Sequence, residues 1–228
     1  MAHSIPKAFV FDAYGTLFDV QSVMRRAETL APQQGAVLAQ LWRTKQLEYT
    51  WLQSLMATPK TPREDFAAVT AHALDYALSA LLIPLTPEER QALMDAYLEL
   101  TPFPDAREAL SRLAPKPRII LSNGTLAMLE PLVRHSGLAD LIDDILSVDA
   151  VDIYKPSPRV YELAVDRLQL APEEIGFVSC NGWDAAGAKA FGFVTYWINR
   201  GGLPVERHAP QPDHALASLI DVAHIATA

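Results

Sequence analysis

At 228 residues the chain is long enough for one large domain, or for a core with a smaller insert, around a substantial buried interior. Half the residues are hydrophobic and a fifth are charged, the composition of an ordinary soluble globular protein. Nineteen Lys and Arg stand against 27 Asp and Glu, a net charge of −8 with no basic run, which argues against nucleic acid as a partner.

The single Cys180 excludes an intramolecular disulfide and a multi-cysteine zinc site, and it suits a reducing compartment. No apolar stretch approaches the roughly eighteen residues of a membrane span. The opening "MAHSIPKAFVFD" has no signal-peptide h-region before its first apolar run. The expectation is a cytoplasmic protein with no membrane partner.

The first element is "AFVFD" (8–12), an apolar run that reads as a buried strand delivering Asp12 at its end. From 20 to 100 the pattern is helical, over 20–30, 33–56, 63–81 and 87–100, with "APQQG", "TPKTP" and "PLTPEE" between. No strand interrupts this stretch, so it is expected to be an all-helical insert. Four further apolar runs follow: "RIILSN" (118–123), "DILSVD" (144–149), "IGFVSCN" (175–181) and "FVTYWIN" (193–199). Helical spacing fills the gaps, from 125 to a stop at Gly137, from 158 to 170, and from 182 to 193. The tail 201–228 reads as a loop, a short strand and a closing helix. No internal repeat or low-complexity segment is present. Strand and helix alternating in this way indicate an α/β fold with a doubly wound parallel sheet. Such sheets place ligands at the carboxyl ends of their strands.

Those ends carry the polar residues. Asp12 alone would be an ordinary turn aspartate, Ser122 and Asn123 a helix cap, and Lys155 in "YKPSPRVY" a solvated loop lysine. Ser179, Asn181 and Asp184 close the fourth such strand in "FVSCNGWDAAGAKAFG". Four strand ends armed together are harder to set aside. Cys180 should alternate away from Ser179 and Asn181 into the packed sheet, so it is not read as a nucleophile. His3, His72, His135, His208, His214 and His224 lie outside every motif and form no recognisable triad.

The set D-x-Y-G-T-L-F, S-N-G, Y-K-P-x-x-x-V-Y and F-V-S-x-N-x-W-D-x-x-G-A resembles the haloacid dehalogenase superfamily. Within it, the sequence is similar to the type II L-2-haloacid dehalogenases from about residue 7 to residue 200, including the segment "LWRTKQLEYTWLQSLM" (41–56). The resemblance implies a Rossmann-like catalytic core at 1–19 and 101–228, with an inserted helical cap subdomain at 20–100. It also implies hydrolysis of L-2-haloalkanoic acids to D-2-hydroxyalkanoic acids, with inversion, through an ester on Asp12.

Phosphatases of the superfamily carry a second Asp two places after the nucleophile, to protonate a leaving alcohol. Here that position is Tyr14, and a halide needs no proton. Their magnesium set is also depleted, since its first acidic position is Ser179; no metal and no cofactor are implied. The competing readings are a phosphatase acting on a small phosphate ester, or a non-catalytic binding protein on the same scaffold.

The resemblance assigns roles residue by residue. Asp12 is the nucleophile, oriented by Thr16 and kept ionised by Lys155. Asp184 activates water, with Ser179 and Asn181 positioning the water and Lys155. Ser122 and nearby amides hold the substrate carboxylate, and Tyr161 supports the Asp12–Lys155 region at the substrate site. Arg43, which in a generic helix would read as a snorkelling surface charge, takes the halide with Asn123 and the edge of Trp183. Tyr14, Leu47, Phe66 and Trp183 wall the alkyl part, although Phe66 fits the core equally well. The partners implied are the small 2-haloacid, its halide product and a second copy of the chain in a homodimer.

Overall fold

The computed structural model describes residues 5–207 and 210–227, so His3 and His208 lie outside the described residues. The first apolar run forms strand β1 (Ala8–Phe11), and all four of its side chains are fully buried. A strand with no polar face is stable only where both faces of the sheet are covered. After a turn come β2 (Phe18–Asp19) and four helices, α1 (Gln21–Leu30), α2 (Gly35–Met56), α3 (Phe66–Leu81) and α4 (Pro87–Asp95).

The helix starts are chemically marked. Asp65 caps α3 by accepting from the Ala68 N–H at 2.8 Å, and Thr86 with Glu89 closes a capping box on α4 behind Pro87. The helix expected over 87–100 stops at Asp95 and tightens into a 3-10 turn at Ala96–Leu98. Gly35 lets α1 and α2 meet closely, since a Cβ there would fall 2.2 Å from the Glu28 backbone. β3 (Thr101–Pro102) then pairs antiparallel with β2, so the chain leaves for the helices and returns from them at one place.

The remainder alternates: α5 (Ala106–Leu113), β4 (Arg118–Ser122), α6 (Leu126–His135), β5 (Asp144–Ser147), α7 (Pro158–Leu168), β6 (Ile175–Ser179), α8 (Gly182–Phe191), β7 (Val194–Ile198), β8 (His214–Leu216) and α9 (Leu219–Thr227). The sheet order is β5-β4-β1-β6-β7-β8, and every neighbouring pair is parallel. This is the doubly wound sheet expected, with β8 as the short strand of the tail. Chain order runs outward from β1 in both directions, so the switch point lies at the carboxyl end of β1 between β4 and β6.

Strands expected over 118–123 and 175–181 end sooner, at Ser122 and Ser179. At each end the serine Oγ accepts a backbone N–H two residues on, from Gly124 and Asn181, both at 3.1 Å. Such local bonds compete with the sheet ladder and turn the chain toward the next helix. Among the described residues, no helix is long and apolar enough to cross a membrane.

Candidate active site

Asp12 lies one residue beyond β1, buried, with its own N–H bonded to the carbonyl of Val178 at 2.9 Å. The turn after it depends on Gly15, which sits at φ +82° and where a Cβ would meet the Cys180 Sγ at 2.8 Å. Thr16 donates its hydroxyl to Asp12 Oδ2 at 3.1 Å and accepts from the Cys180 N–H at 2.8 Å. The Asn181 amide donates to the same Oδ2 at 2.9 Å. Arg200 grips the turn from outside, donating to the carbonyls of Gly15 and Thr16 at 3.2 and 3.1 Å while its guanidinium stacks 3.7 Å from the Phe103 ring centre. Arg200 was not anticipated from the sequence.

Lys155 and Asp184 are almost wholly buried. The Lys155 ammonium stands 2.9 Å from Asp184 Oδ2 and 3.3 Å from Asp12 Oδ1. Burial opposes the ammonium, but Asp184 and then Asp12 outweigh it, and the Lys155 pKa is raised. Asp184 moves the other way from an ordinary ion-paired carboxylate. Burial pushes it up to about 6; Lys155 pulls against that, while the Asp12 charge adds to it.

Tyr161 is fully buried behind Asp184, donating to its Oδ1 at 2.8 Å. Gly187 leaves it room, for a Cβ there would lie 2.6 Å from the Tyr161 hydroxyl. Tyr161 therefore reaches the charged pair through Asp184.

On the β4 side, Asn123 is fixed by the backbone N–H of Lys155, which donates to its Oδ1 at 3.1 Å. Since that partner can only donate, the amide NH₂ of Asn123 points the other way. Ser122, also buried, accepts from Gly124 N–H and keeps its own proton free to donate. Ser179 is buried too, and its Oγ steadies the Asn181 turn.

The helices supply the facing wall. Arg43 of α2 donates to the Gln46 Oε1 at 2.6 Å, and its positive charge works against burial at Tyr14, Tyr97 and Cys180, so it stands on the side of α2 near these groups. Tyr14 is buried, stacked on Phe66 with ring centres 5.8 Å apart and set edge-on to Tyr97 at 5.9 Å. Phe66 is itself part of the core cluster. Burial holds the Tyr14 hydroxyl far above its ordinary pKa, so it stays a neutral donor, and it has no hydrogen-bond partner among the described residues. Leu47 is half-buried one turn beyond Arg43, and one turn further Trp51 meets Trp183 edge-on at 5.5 Å. A cleft of about 510 Å³ opens there, lined by Trp51, Leu55, Ile153, Lys155 and Trp183 among others. A larger groove of about 810 Å³, between α4 and β5, includes none of these groups, so size does not mark the site.

Cys180 is half-buried with its thiol pushed up to about 11, chiefly by burial, which leaves it protonated at neutral pH. His72 faces Glu64, His214 stacks on Tyr196, and His224 lies 2.9 Å from Arg112.

Comparison with known proteins adds an independent line. A family model for haloacid dehalogenase-like hydrolases matches residues 6–192. The (S)-2-haloacid dehalogenase of Pseudomonas sp. (strain YL) is 46% identical over 216 residues, covering 93% of this chain and 91% of that protein. Among solved structures, the L-2-haloacid dehalogenase RSc1362 matches with a TM-score of 0.95 at 42% identity, covering 99% of this chain and 100% of that one. The L-2-haloacid dehalogenase from Xanthobacter autotrophicus with chloropropionic acid covalently bound matches with a TM-score of 0.89 at 40% identity, covering 97% of this chain and 98% of that one.

Proposed function

The chain belongs to the haloacid dehalogenase-like hydrolases, and from that premise we propose that it hydrolyses L-2-haloalkanoic acids to D-2-hydroxyalkanoic acids, with inversion at C2, through an ester on Asp12. One observation carries the reading: a buried aspartate held by Thr16, Asn181 and Lys155, with Tyr14 where a phosphatase would place a proton donor. Because Oδ2 is engaged by two neutral donors, Oδ1 beside Lys155 is the freer oxygen to attack. It displaces halide from C2, forming the C2–O bond as the carbon–halogen bond breaks and the halide leaves as an anion. Arg43, the outward NH₂ of Asn123 and the edge of Trp183 receive that anion. Ser122 and the amides at the start of α6 hold the substrate carboxylate, and Tyr14, Leu47, Phe66 and Trp183 surround the alkyl part.

Water then attacks Cγ of the ester, Asp184 taking one of its protons; as the Cγ–O bond breaks the other proton passes to the departing C2 oxygen, freeing the hydroxy acid, and Asp184 releases its proton to solvent. A carboxyl pushed up to about 6 by burial is a stronger base than an ordinary aspartate and still ionises at neutral pH. Lys155 offsets charge in both steps. Tyr161 and Ser179 act as supports, the one holding Asp184 and the other the Asn181 turn.

The residues do not fit the magnesium of phosphatase relatives. Ser179 is neutral and its Oγ is engaged by Asn181, while both carboxylates share the Lys155 ammonium. Among the described residues no group of three or more His, Cys, Asp or Glu could hold a metal ion.

In this reading 20–100 caps a core formed by 1–19 and 101–228, in a cytoplasmic enzyme. Two chains associate through the helices, because α2 ends on Leu55 and Met56, 83% and 62% exposed. A monomeric mass by light scattering at micromolar concentration would remove the dimer.

The chemistry is tested by halide release from L- and D-2-chloropropionate, then by a single turnover in ¹⁸O-water with enzyme in excess. Only the L acid should react, giving unlabelled hydroxyl oxygen in the product and label in the Asp12 peptide. Labelled product in the first turnover would mean that water attacks C2 directly and Asp12 is only a base.

A further inference from the structure

Arg63, Arg118 and Arg200, three other arginines tucked into the protein, each face an aspartate, at 2.7, 3.3 and 3.5 Å. Arg43 forms no ion pair among the described residues, and its Nη1 donates to the neutral Oε1 of Gln46 instead. Gln46 is fully buried one turn further along α2. Its Nε2 donates to Thr70 Oγ1 at 2.7 Å, and the Thr70 hydroxyl donates to the Phe66 carbonyl at 2.6 Å.

The direction of this chain is forced. Thr70 has one proton and spends it on a carbonyl, which can only accept, so its oxygen must accept from Gln46. The NH₂ end of Gln46 therefore faces Thr70, and its carbonyl end faces Arg43. A flipped amide would set donor against donor at Arg43 and acceptor against acceptor at Thr70. Buried polar groups are costly unless satisfied in this way, and here the satisfied amide leaves one fixed acceptor aimed at the Arg43 guanidinium.

The choice of an amide matters electrically. A carboxylate at position 46 would hold Arg43 at least as firmly, but it would cancel the charge that an anion must feel. We propose that Gln46 is a positioning residue for the leaving-group site, orienting Arg43 through a neutral acceptor so that its full positive charge stays available to the departing halide. The inference rests on the proposed function for the assignment of Arg43 to the halide. Thr70 and the first turn of α3 serve as the anchor behind it.

Halide release by the unaltered enzyme comes first; without it the reading of the site fails, whatever Gln46 does. Given that activity, Gln46→Met, similar in length but lacking the acceptor, should lower kcat about tenfold and raise the bromide concentration for product inhibition by a similar factor. Gln46→Glu should weaken bromide inhibition at least as much, although it keeps an acceptor at the same reach. In an Arg43→Ala background, Gln46→Met should change kcat/KM by less than about twofold, the non-additivity of a residue acting through another. Circular dichroism checks the fold, and Gln46→Glu carries the test alone if Gln46→Met does not fold. Additive losses in the double variant, or unaltered bromide inhibition in Gln46→Glu, would overturn the proposal and leave Gln46 as a strut between α2 and α3.

Discussion

Tyr161 holds Asp184 from behind, its hydroxyl donating to Oδ1 at 2.8 Å where no solvent reaches either side chain. The bond favours the ionised carboxylate and so works against the burial that pushes Asp184 upward.

Removing that hydroxyl gives the first expected outcome. In Tyr161→Phe the Asp184 pKa should rise further, because the charged form loses a donor. Asp184 must be ionised to take a proton from water, so the acidic limb of the kcat profile should move to higher pH. Activity should fall most near pH 6 and recover toward pH 8. A pH–rate profile superimposable on that of the unaltered enzyme would remove Asp184 as the base or Tyr161 as its support.

Lys155 stands between two buried carboxylates, so Lys155→Met leaves Asp12 and Asp184 with no cation. Halide release should cease, and stability at pH 7.5 should drop by about 3–5 kcal/mol, the usual cost of breaking a buried pair. The deficit should then shrink as pH falls. Without Lys155 the Asp184 carboxyl lies still further above its unfolded pKa, so the folded state takes up a proton and gains stability toward pH 5. Urea denaturation at both pH values measures this; equal deficits would mean that losing Lys155 leaves the titration of Asp184 unchanged.

The fold was legible where chemistry repeats locally. The runs that became β1, β4, β6 and β7 carry few polar side chains, and a buried parallel strand needs none. Asp12, Lys155 and Asp184 were found because each closes or follows such a run. What escaped was short or acts at a distance in sequence. α5 is two turns between Pro104 and Pro115 with Arg107, Glu108 and Arg112 on its open face, and β2 and β3 are two residues each. Arg200 acts on backbone carbonyls of Gly15 and Thr16, far away in sequence. Gln46 looks like any helix-forming residue until Thr70 is brought beside it. The strand ends were read one or two residues long because serine turns, not loss of apolar character, stop the ladder.

Tyr14 carries a buried hydroxyl with no partner among the described residues. Leaving such a group unpaired costs about 1–3 kcal/mol, so Tyr14→Phe should be as stable as the parent or more so. Turnover should nevertheless fall several-fold, because the hydroxyl lies against Gly124 just before α6, where a Cβ would come within 3.0 Å of it, and has a proton to give a bound anion. Thermal melting and steady-state kinetics separate the two effects. Lower stability in Tyr14→Phe would mean that the hydroxyl already has a partner.

Metal removal should change nothing. The charges of Asp12 and Asp184 are already met by Lys155, so turnover after exhaustive EDTA treatment should equal that before it. A large loss restored by Mg²⁺ would return the site to phosphoryl chemistry.

Arg43, Leu47 and Trp51 follow one another at intervals of four along α2, with Trp51 closing on Trp183 at the far end. At 1.5 Å per residue the steps are about 6 Å each, which makes this side of the helix a ruler running from Arg43 to the Trp51–Trp183 pair. Chain-length preference should then shift when a single graduation is changed. A series of 2-bromo acids tried against Trp51→Ala should show longer acids gaining relative to bromopropionate, with the order of the short ones unchanged. Substrate range would then be set by side chains of one helix, apart from the strand ends that carry Asp12 and Lys155.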